Sequence, residues 1–147
     1  MIEPTASEQN PPSPKRIQMS RQHPWRADNP DAVIVARPSK WGNPFRVVAA
    51  SSCEVRWSHW RNAPHWHTVW PDGGTWCYPT KAEAAARAVE LFEMCVNFER
   101  LRIDYTLEMP DPRLPNGLVG HDLACWCPLN QPCHADVLLE ISNGGAV

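Results

Sequence analysis

A short apolar run near the start of the chain sets the strongest restriction on its fold. Residues 32–36 read AVIVA, which is continuous and partly β-branched rather than alternating with polar residues. A strand of that kind is covered on both faces, as in a parallel sheet. Pro38 limits its continuation. A second short strand, DLACWC, is predicted at residues 122–127.

Two helices are predicted from capping signals and apolar spacing. Thr80 and Glu83 form a capping box, and apolar residues then recur at helical spacing to about residue 101. A closing helix is predicted from Cys133 to Ser142, because the run Asn143-Gly144-Gly145 ends it. The order of elements indicates an α/β fold with a small, mostly parallel sheet and flanking helices.

Residues 51–79 predict an antiparallel β-hairpin insertion that is rich in tryptophan. Apolar and polar residues alternate there, and the turn PDGG at residues 71–74 separates HWHTVW from TWCY. Two roles for the tryptophans stay open. They cover a small sheet, or they form an aromatic platform for a base or a sugar.

Residues 1–30 predict a flexible leader, followed by a single domain at residues 31–147. Six prolines among polar neighbours leave the leader too little apolar surface to offset its ordering entropy. Its basic residues either contact nucleic-acid phosphates or form a solvated tail. They are Lys15, Arg16, Arg21 and Arg26. The net charge of the whole chain, −2, gives no general attraction to nucleic acid.

The sequence predicts a cytosolic protein without a membrane partner. It contains neither the apolar stretch of a signal peptide nor a run near the ~18 residues of a membrane helix. Six cysteines without a secretion signal do not predict a disulfide framework. Half of them fall within nine residues, 125–133, which indicates a metal site, a reactive thiol or packing.

The geometry of a strand and a helix start brings this cluster together. Residues two apart on a strand face the same side, so Cys125 and Cys127 project together and Trp126 points away. Cys133 and His134 return to the carboxyl end of the strand, at the first turn of the last helix. Free N–H groups there favour an anion and lower the pKa of a cysteine.

Three interpretations of the cluster stay open. In one, Cys133 is a nucleophile with His134 beside it, and Asp136 orients that histidine or favours the helix dipole. In another, Cys125, Cys127, Cys133 and His134 are the ligands of a zinc ion. In the third, the cysteines are small buried residues.

The stretch RPSKWGNPF at residues 37–45 completes a crevice if the first and last strands are neighbours. Both strands then end at one edge of the sheet, where α/β proteins bind ligands. Arg37 and Lys40 supply positive charge, Trp41 a stacking face, and Gly42-Asn43 a close backbone approach with a hydrogen-bonding side chain. A structurally required turn is the alternative.

These motifs resemble a family of small bacterial and phage proteins of unknown function. The similarity rests on RPSKWGNPF, on TKAEAA at the helix start, and on LACWC followed after five residues by CHADVLLE. It covers about residues 31–143. The resemblance implies a bacterial or phage cytoplasmic setting and no established activity.

The leading hypothesis is an α/β domain that binds, and chemically processes, a nucleotide-like or sugar-phosphate ligand in this crevice. Its reaction type stays open between transfer at a glycosidic carbon and thiolate attack on a base. The alternative is a zinc-stabilised binding module without catalysis that contacts nucleic acid or a protein. A third hypothesis is a protein that binds a host factor through exposed tryptophans.

Overall fold

The computed structural model describes residues 13–50, 65–98, 110, 112 and 117–144. Within these ranges the chain forms two small sheets and three helices. In chain order the elements are β1 (Arg16–Gln18), α1 (Trp25–Asp28), β2 (Val33–Ile34), β3 (Arg46–Ala50), β4 (His65–Val69), β5 (Thr75–Tyr78), α2 (Lys81–Asn97), β6 (Leu123–Cys125) and α3 (His134–Ser142).

The first sheet is parallel and has β6 at its centre, in the order β1-β6-β2. Val33 is in register with Leu123, and Ile17 with Ala124. All three residues of β6 are buried, as expected for a strand covered on both faces. This small parallel sheet is compatible with the predicted α/β class. The two strands predicted after residues 31 and 122 correspond to β2 and β6, which are neighbours in the sheet.

Strand β1 lies inside the segment that was predicted to be a flexible leader. The amide of Leu123 donates to the carbonyl of Lys15 at 3.0 Å, and the amide of Met19 donates to the carbonyl of Cys125 at 2.8 Å. Ile17 and Met19 are buried. The alternation of polar and apolar residues from Lys15 to Met19 was a strand signal, which the surrounding prolines masked.

The second sheet is antiparallel, in the order β3-β4-β5. Its β4–β5 hairpin closes where the PDGG turn was predicted. The amide of Trp70 donates to the carbonyl of Gly74 at 2.8 Å, and Gly73 adopts a φ of 91°. Residues 51–64 of the predicted insertion lie outside the described residues, so the insertion as a whole stays a prediction.

Helix α2 packs across both the second sheet and the C-terminal helix. Thr68 on β4 donates its hydroxyl to the carbonyl of Ala84 at 2.8 Å, which joins sheet and helix. The predicted capping box is present, because the amide of Glu83 donates to the Thr80 hydroxyl at 3.2 Å. The helix ends at Asn97 rather than near residue 101.

Replacing the N-cap of α2 is expected to destabilise the protein slightly. Thr80→Ala removes the acceptor for the amide of Glu83 and should lower the free energy of unfolding by about 1 kcal/mol. Glu83→Gln is the matched control, since glutamine also completes a capping box. Urea unfolding followed by circular dichroism measures both variants. An unchanged Thr80→Ala would contradict the capping role.

Candidate metal centre

A cleft of about 430 Å³ opens where β2 and β6 end. Arg37 and Asn43 line it from the loop after β2, and Lys81 from the start of α2. The predicted crevice between RPSKWGNPF and PCHAD therefore exists as a cavity. The cysteine and histidine cluster forms one of its walls, with Cys125, Cys127, Cys133 and His134.

Three potential metal ligands of this cluster form one close group, and the fourth, Cys127, lies beside Cys125. The sulfurs of Cys125 and Cys127 are 3.8 Å apart. The sulfur of Cys133 lies 3.7 Å from Nδ1 of His134. The ligand atoms of Cys125, Cys133 and His134 all lie within 4.8 Å of one another. The four thus come from the end of β6, the loop after it and the start of α3.

Two of these separations match edges of a tetrahedral zinc site. Two sulfurs, each about 2.3 Å from one zinc ion at the tetrahedral angle, lie about 3.8 Å apart. A sulfur and an imidazole nitrogen on the same ion lie about 3.6 Å apart. The Cys125–Cys127 and Cys133–His134 distances agree with these values within about 0.1 Å. The donor set of three thiols and one imidazole is typical of zinc.

The backbone fixes which nitrogen of His134 faces the cysteines. Nε2 lies 2.8 Å from the carbonyl oxygen of Val35, which only accepts hydrogen bonds, so Nε2 carries the proton. The lone pair of Nδ1 then points toward Cys133. The ring edge packs against Phe92, with centroids 5.2 Å apart. Burial lowers the pKa of His134, which keeps the imidazole neutral at pH 7.

The sequence predicts a lowered pKa for the thiol of Cys133, but the contacts in the structure lower the pKa of Cys125 instead. Hydrogen bonds from Cys127 and Cys133 lower the pKa of Cys125. Hydrogen bonds with Cys125 and Cys127 raise the pKa of Cys133, and burial raises it further. Cys133 is the N-cap of α3 and is 1% exposed. Its sulfur therefore sits among other thiols rather than facing an open anion site.

Two residues of the RPSKWGNPF loop, Trp41 and Asn43, make contacts that stabilise the fold. Trp41 is 3% exposed and packs in the core, so its ring offers no stacking face to a ligand. Asn43 lines the cleft, but its amide donates to the carbonyl of Ala88 at 3.1 Å and its oxygen accepts from the amide of Phe45 at 3.0 Å. Asn43 thereby ties the loop to α2.

Gly42 is required by packing within the same loop. A Cβ atom at this position would lie 2.7 Å from Cγ of Arg37 and 3.1 Å from its Cα. The close approach is thus between Gly42 and Arg37 within the protein. It holds the arginine side chain against the loop at the cleft.

The two cations of the loop differ in position. Arg37 lines the cleft and donates to the carbonyl of Asn43 at 3.2 Å. Burial and the neighbouring Arg46 lower its pKa, while Cys125 opposes that shift. Lys40 instead lies over the ring of Trp41 at 5.3 Å and is absent from the described cleft wall.

Sequence reasoning missed Arg16, which holds the loop between β6 and α3. Its guanidinium donates to the carbonyls of Pro128, Leu129 and Gln131 at 2.9–3.2 Å. Its Nε lies 3.1 Å from a carboxylate oxygen of Asp136. Asp136 thus pairs with Arg16, whereas the Val35 carbonyl orients His134. Arg16 is accordingly not available to bind phosphates as a leader residue.

Comparison with known families adds one match. Residues 17–144 match the family described as domain of unknown function DUF4326. The chain belongs to the DUF4326 family. This confirms the expected membership of a family of unknown function, and the match begins within β1. No curated protein and no solved structure matches the chain. In the described part of this DUF4326 protein, no helix has the length and apolar character to cross a membrane.

Proposed function

We propose that this DUF4326 protein binds one zinc ion through Cys125, Cys127, Cys133 and His134. The observation that carries the proposal is the pair of ligand separations, 3.8 Å between two sulfurs and 3.7 Å between sulfur and nitrogen. Both separations fit a tetrahedral ion, and the ligand atoms of Cys125, Cys133 and His134 all lie within 4.8 Å of one another. The hydrogen bond from His134 to the Val35 carbonyl is the backbone contact that metal-binding histidines commonly make.

The ion would join the end of β6 to the start of α3. Three thiolates and one Zn²⁺ carry a net charge of about −1, and Arg37 at the cleft wall supplies a compensating positive charge. The role is structural if all four protein ligands bind. If Cys127, which is only half-buried, leaves the ion, a position opens toward the cleft.

Metal analysis of the full chain tests the proposal. The protein, purified without chelator, is expected to carry about one cluster-bound zinc per chain, and Cys125→Ser and Cys133→Ser should each lose it. Cys95→Ser is the matched control, because Cys95 is a buried free thiol on α2 outside the cluster. Equal metal content in Cys133→Ser and Cys95→Ser would overturn the proposal.

A second candidate function is binding of a nucleotide-like anion in the cleft. Arg37 and Lys81 place two cations at its wall. None of the ion pairs among the described residues includes Arg37. Trp126 also lines the cleft and is 49% exposed, so it offers the indole surface that Trp41 lacks.

Calorimetric titration with nucleoside monophosphates, and with inorganic phosphate as a competitor, tests this second function. Arg37→Ala should weaken binding by at least tenfold, since it removes a charge-assisted hydrogen-bond donor. Arg26→Ala is the control, because Arg26 is exposed and contacts the ring of Trp25. Unchanged binding in Arg37→Ala would exclude the cleft as the anion site.

Loss of Arg16 is expected to weaken the metal site without removing a ligand. Arg16→Ala frees the loop that carries the cluster, and partners outside the ligand shell typically change metal affinity about 10–100-fold. Zinc titration against a chromophoric chelator measures the affinity, with Arg26→Ala as the control. Equal affinities in the two variants would show that the loop holds its shape without Arg16.

A further inference from the structure

A second group of metal-binding side chains lies in the antiparallel sheet, away from the parallel sheet and its cluster. His65 and His67 are two residues apart on β4, so both project to one face. Cys77 on β5 is the register partner of His67. The ligand atoms of all three lie within 4.8 Å of one another. Sequence reasoning missed this group, although the H-x-H pattern beside the predicted turn was a signal.

The two histidines are positioned as metal ligands. Their Nε2 atoms are 3.1 Å apart, close to the separation of about 3.3 Å for two imidazole nitrogens on one tetrahedral zinc ion. His65 is 1% exposed, so its ring is held inside the protein rather than in solvent. Imidazole and thiolate donors suit Zn²⁺ and the neighbouring divalent transition metals.

The oxidation state of Cys77 decides whether the third donor is available. Cys77 is disulfide-bonded in the structure, although the sequence does not predict a disulfide framework. A disulfide sulfur does not act as a thiolate ligand. Reduction by a dithiol transfers two electrons and two protons, so the disulfide becomes two thiols and the dithiol becomes a disulfide. Metal binding then displaces the proton of the Cys77 thiol.

We propose that reduction of the Cys77 disulfide creates a second transition-metal site, formed by His65, His67 and Cys77 and filled by zinc. Cys77 on β5 then exchanges one bond for another, a disulfide in the oxidised chain and a metal ion in the reduced chain. Occupancy of this site follows the redox state of the Cys77 disulfide, whereas the cysteines of the cluster at α3 are free thiols in the same structure.

Zinc counting in the two redox states tests this inference on the full chain. One sample is reduced with dithiothreitol and freed of it under nitrogen, and the other is kept without reductant, so that the Cys77 disulfide stays closed. Both are saturated with zinc, desalted and analysed by elemental mass spectrometry. We expect about two zinc ions per reduced chain and about one per oxidised chain. Equal zinc content in both states would overturn the proposal.

Variants assign the redox-dependent ion to its ligands. His67→Asn and Cys77→Ser should each hold about one zinc in both states, whereas the control His23→Asn should behave as the native chain. Circular dichroism identifies a variant that fails to fold, and Cys77→Ser provides the second, independent test. A redox-dependent zinc retained in folded His67→Asn and in Cys77→Ser would also overturn the assignment.

The same experiment separates this inference from the proposed function. Cys133→Ser should lose the redox-independent zinc and keep the redox-dependent one. If Cys133→Ser loses neither ion, the centre at α3 is refuted and the site at Cys77 is not. If the native protein holds the same amount of zinc in both redox states and the Cys133-dependent ion is still present, the site at Cys77 is refuted and the centre at α3 is not.

Discussion

Removing zinc from the full chain is expected to lower its free energy of unfolding by at least about 3 kcal/mol. Binding energies of structural zinc in small peptides reach about 10–16 kcal/mol, and this energy is folding energy where the site does not exist in the unfolded chain. For a chain of this size, 3 kcal/mol corresponds to a fall of about 10 °C in Tm. Without the ion, the three thiols of Cys125, Cys127 and Cys133 remain packed against one another.

Thermal unfolding with and without a strong chelator measures this effect, with zinc counted in the same samples. Cys133→Ser should begin at the lower Tm and lose most of its response to the chelator, since the two changes remove the same ion. Cys95→Ser should respond like the native chain. A native chain that gives up its zinc and keeps its Tm would contradict a structural role for the centre.

Truncating Phe92 is expected to have the second large effect, a loss of about 3–5 kcal/mol in the free energy of unfolding. Phe92 is 0% exposed in the core of α2, and its ring meets the edge of His134. Phe92→Ala leaves a cavity between α2 and α3 and removes the support of that imidazole. Zinc affinity should therefore fall together with stability.

Phe98→Ala is the matched control for this variant. Phe98 lies at the C-terminal end of the same helix and is 58% exposed, so its truncation should change stability by less than about 0.5 kcal/mol. Urea unfolding at constant zinc concentration measures both. Equal losses of unfolding free energy in Phe92→Ala and Phe98→Ala would show that the contact between Phe92 and His134 does not stabilise the protein.

Much of the fold and of the cleft followed from local patterns. The apolar run before Arg37, the capping box at Thr80 and the C-x-C spacing each report on a few neighbouring residues, and each identified an element or a shared face. The meeting of RPSKWGNPF with PCHAD followed from the rule that parallel strands end at one edge. These inferences needed no knowledge of distant contacts.

The errors arose where a residue has several partners that only packing selects. Trp41 was expected to stack on a ligand, but an indole in a loop is buried when the core has room for it, and residue type alone does not reveal that room. Asp136 was expected to orient His134 or to favour the helix dipole, yet Arg16 pairs with it from more than a hundred residues away in the sequence. The sequence did not place Arg16, because the prolines around β1 masked the short alternation that signals this strand.

The sequence by itself determined a mixture of helices and strands with a small parallel sheet, the two principal helices and the set of thiol and imidazole groups near the end of the chain. Tertiary structure decided how those groups are arranged. The distances within the cluster depend on how α3 docks against β6. Which ring nitrogen of His134 is unprotonated depends on the hydrogen bond to the carbonyl of Val35. Periodicity acts over a few residues, whereas ligand geometry depends on contacts between elements that only the packed core brings together.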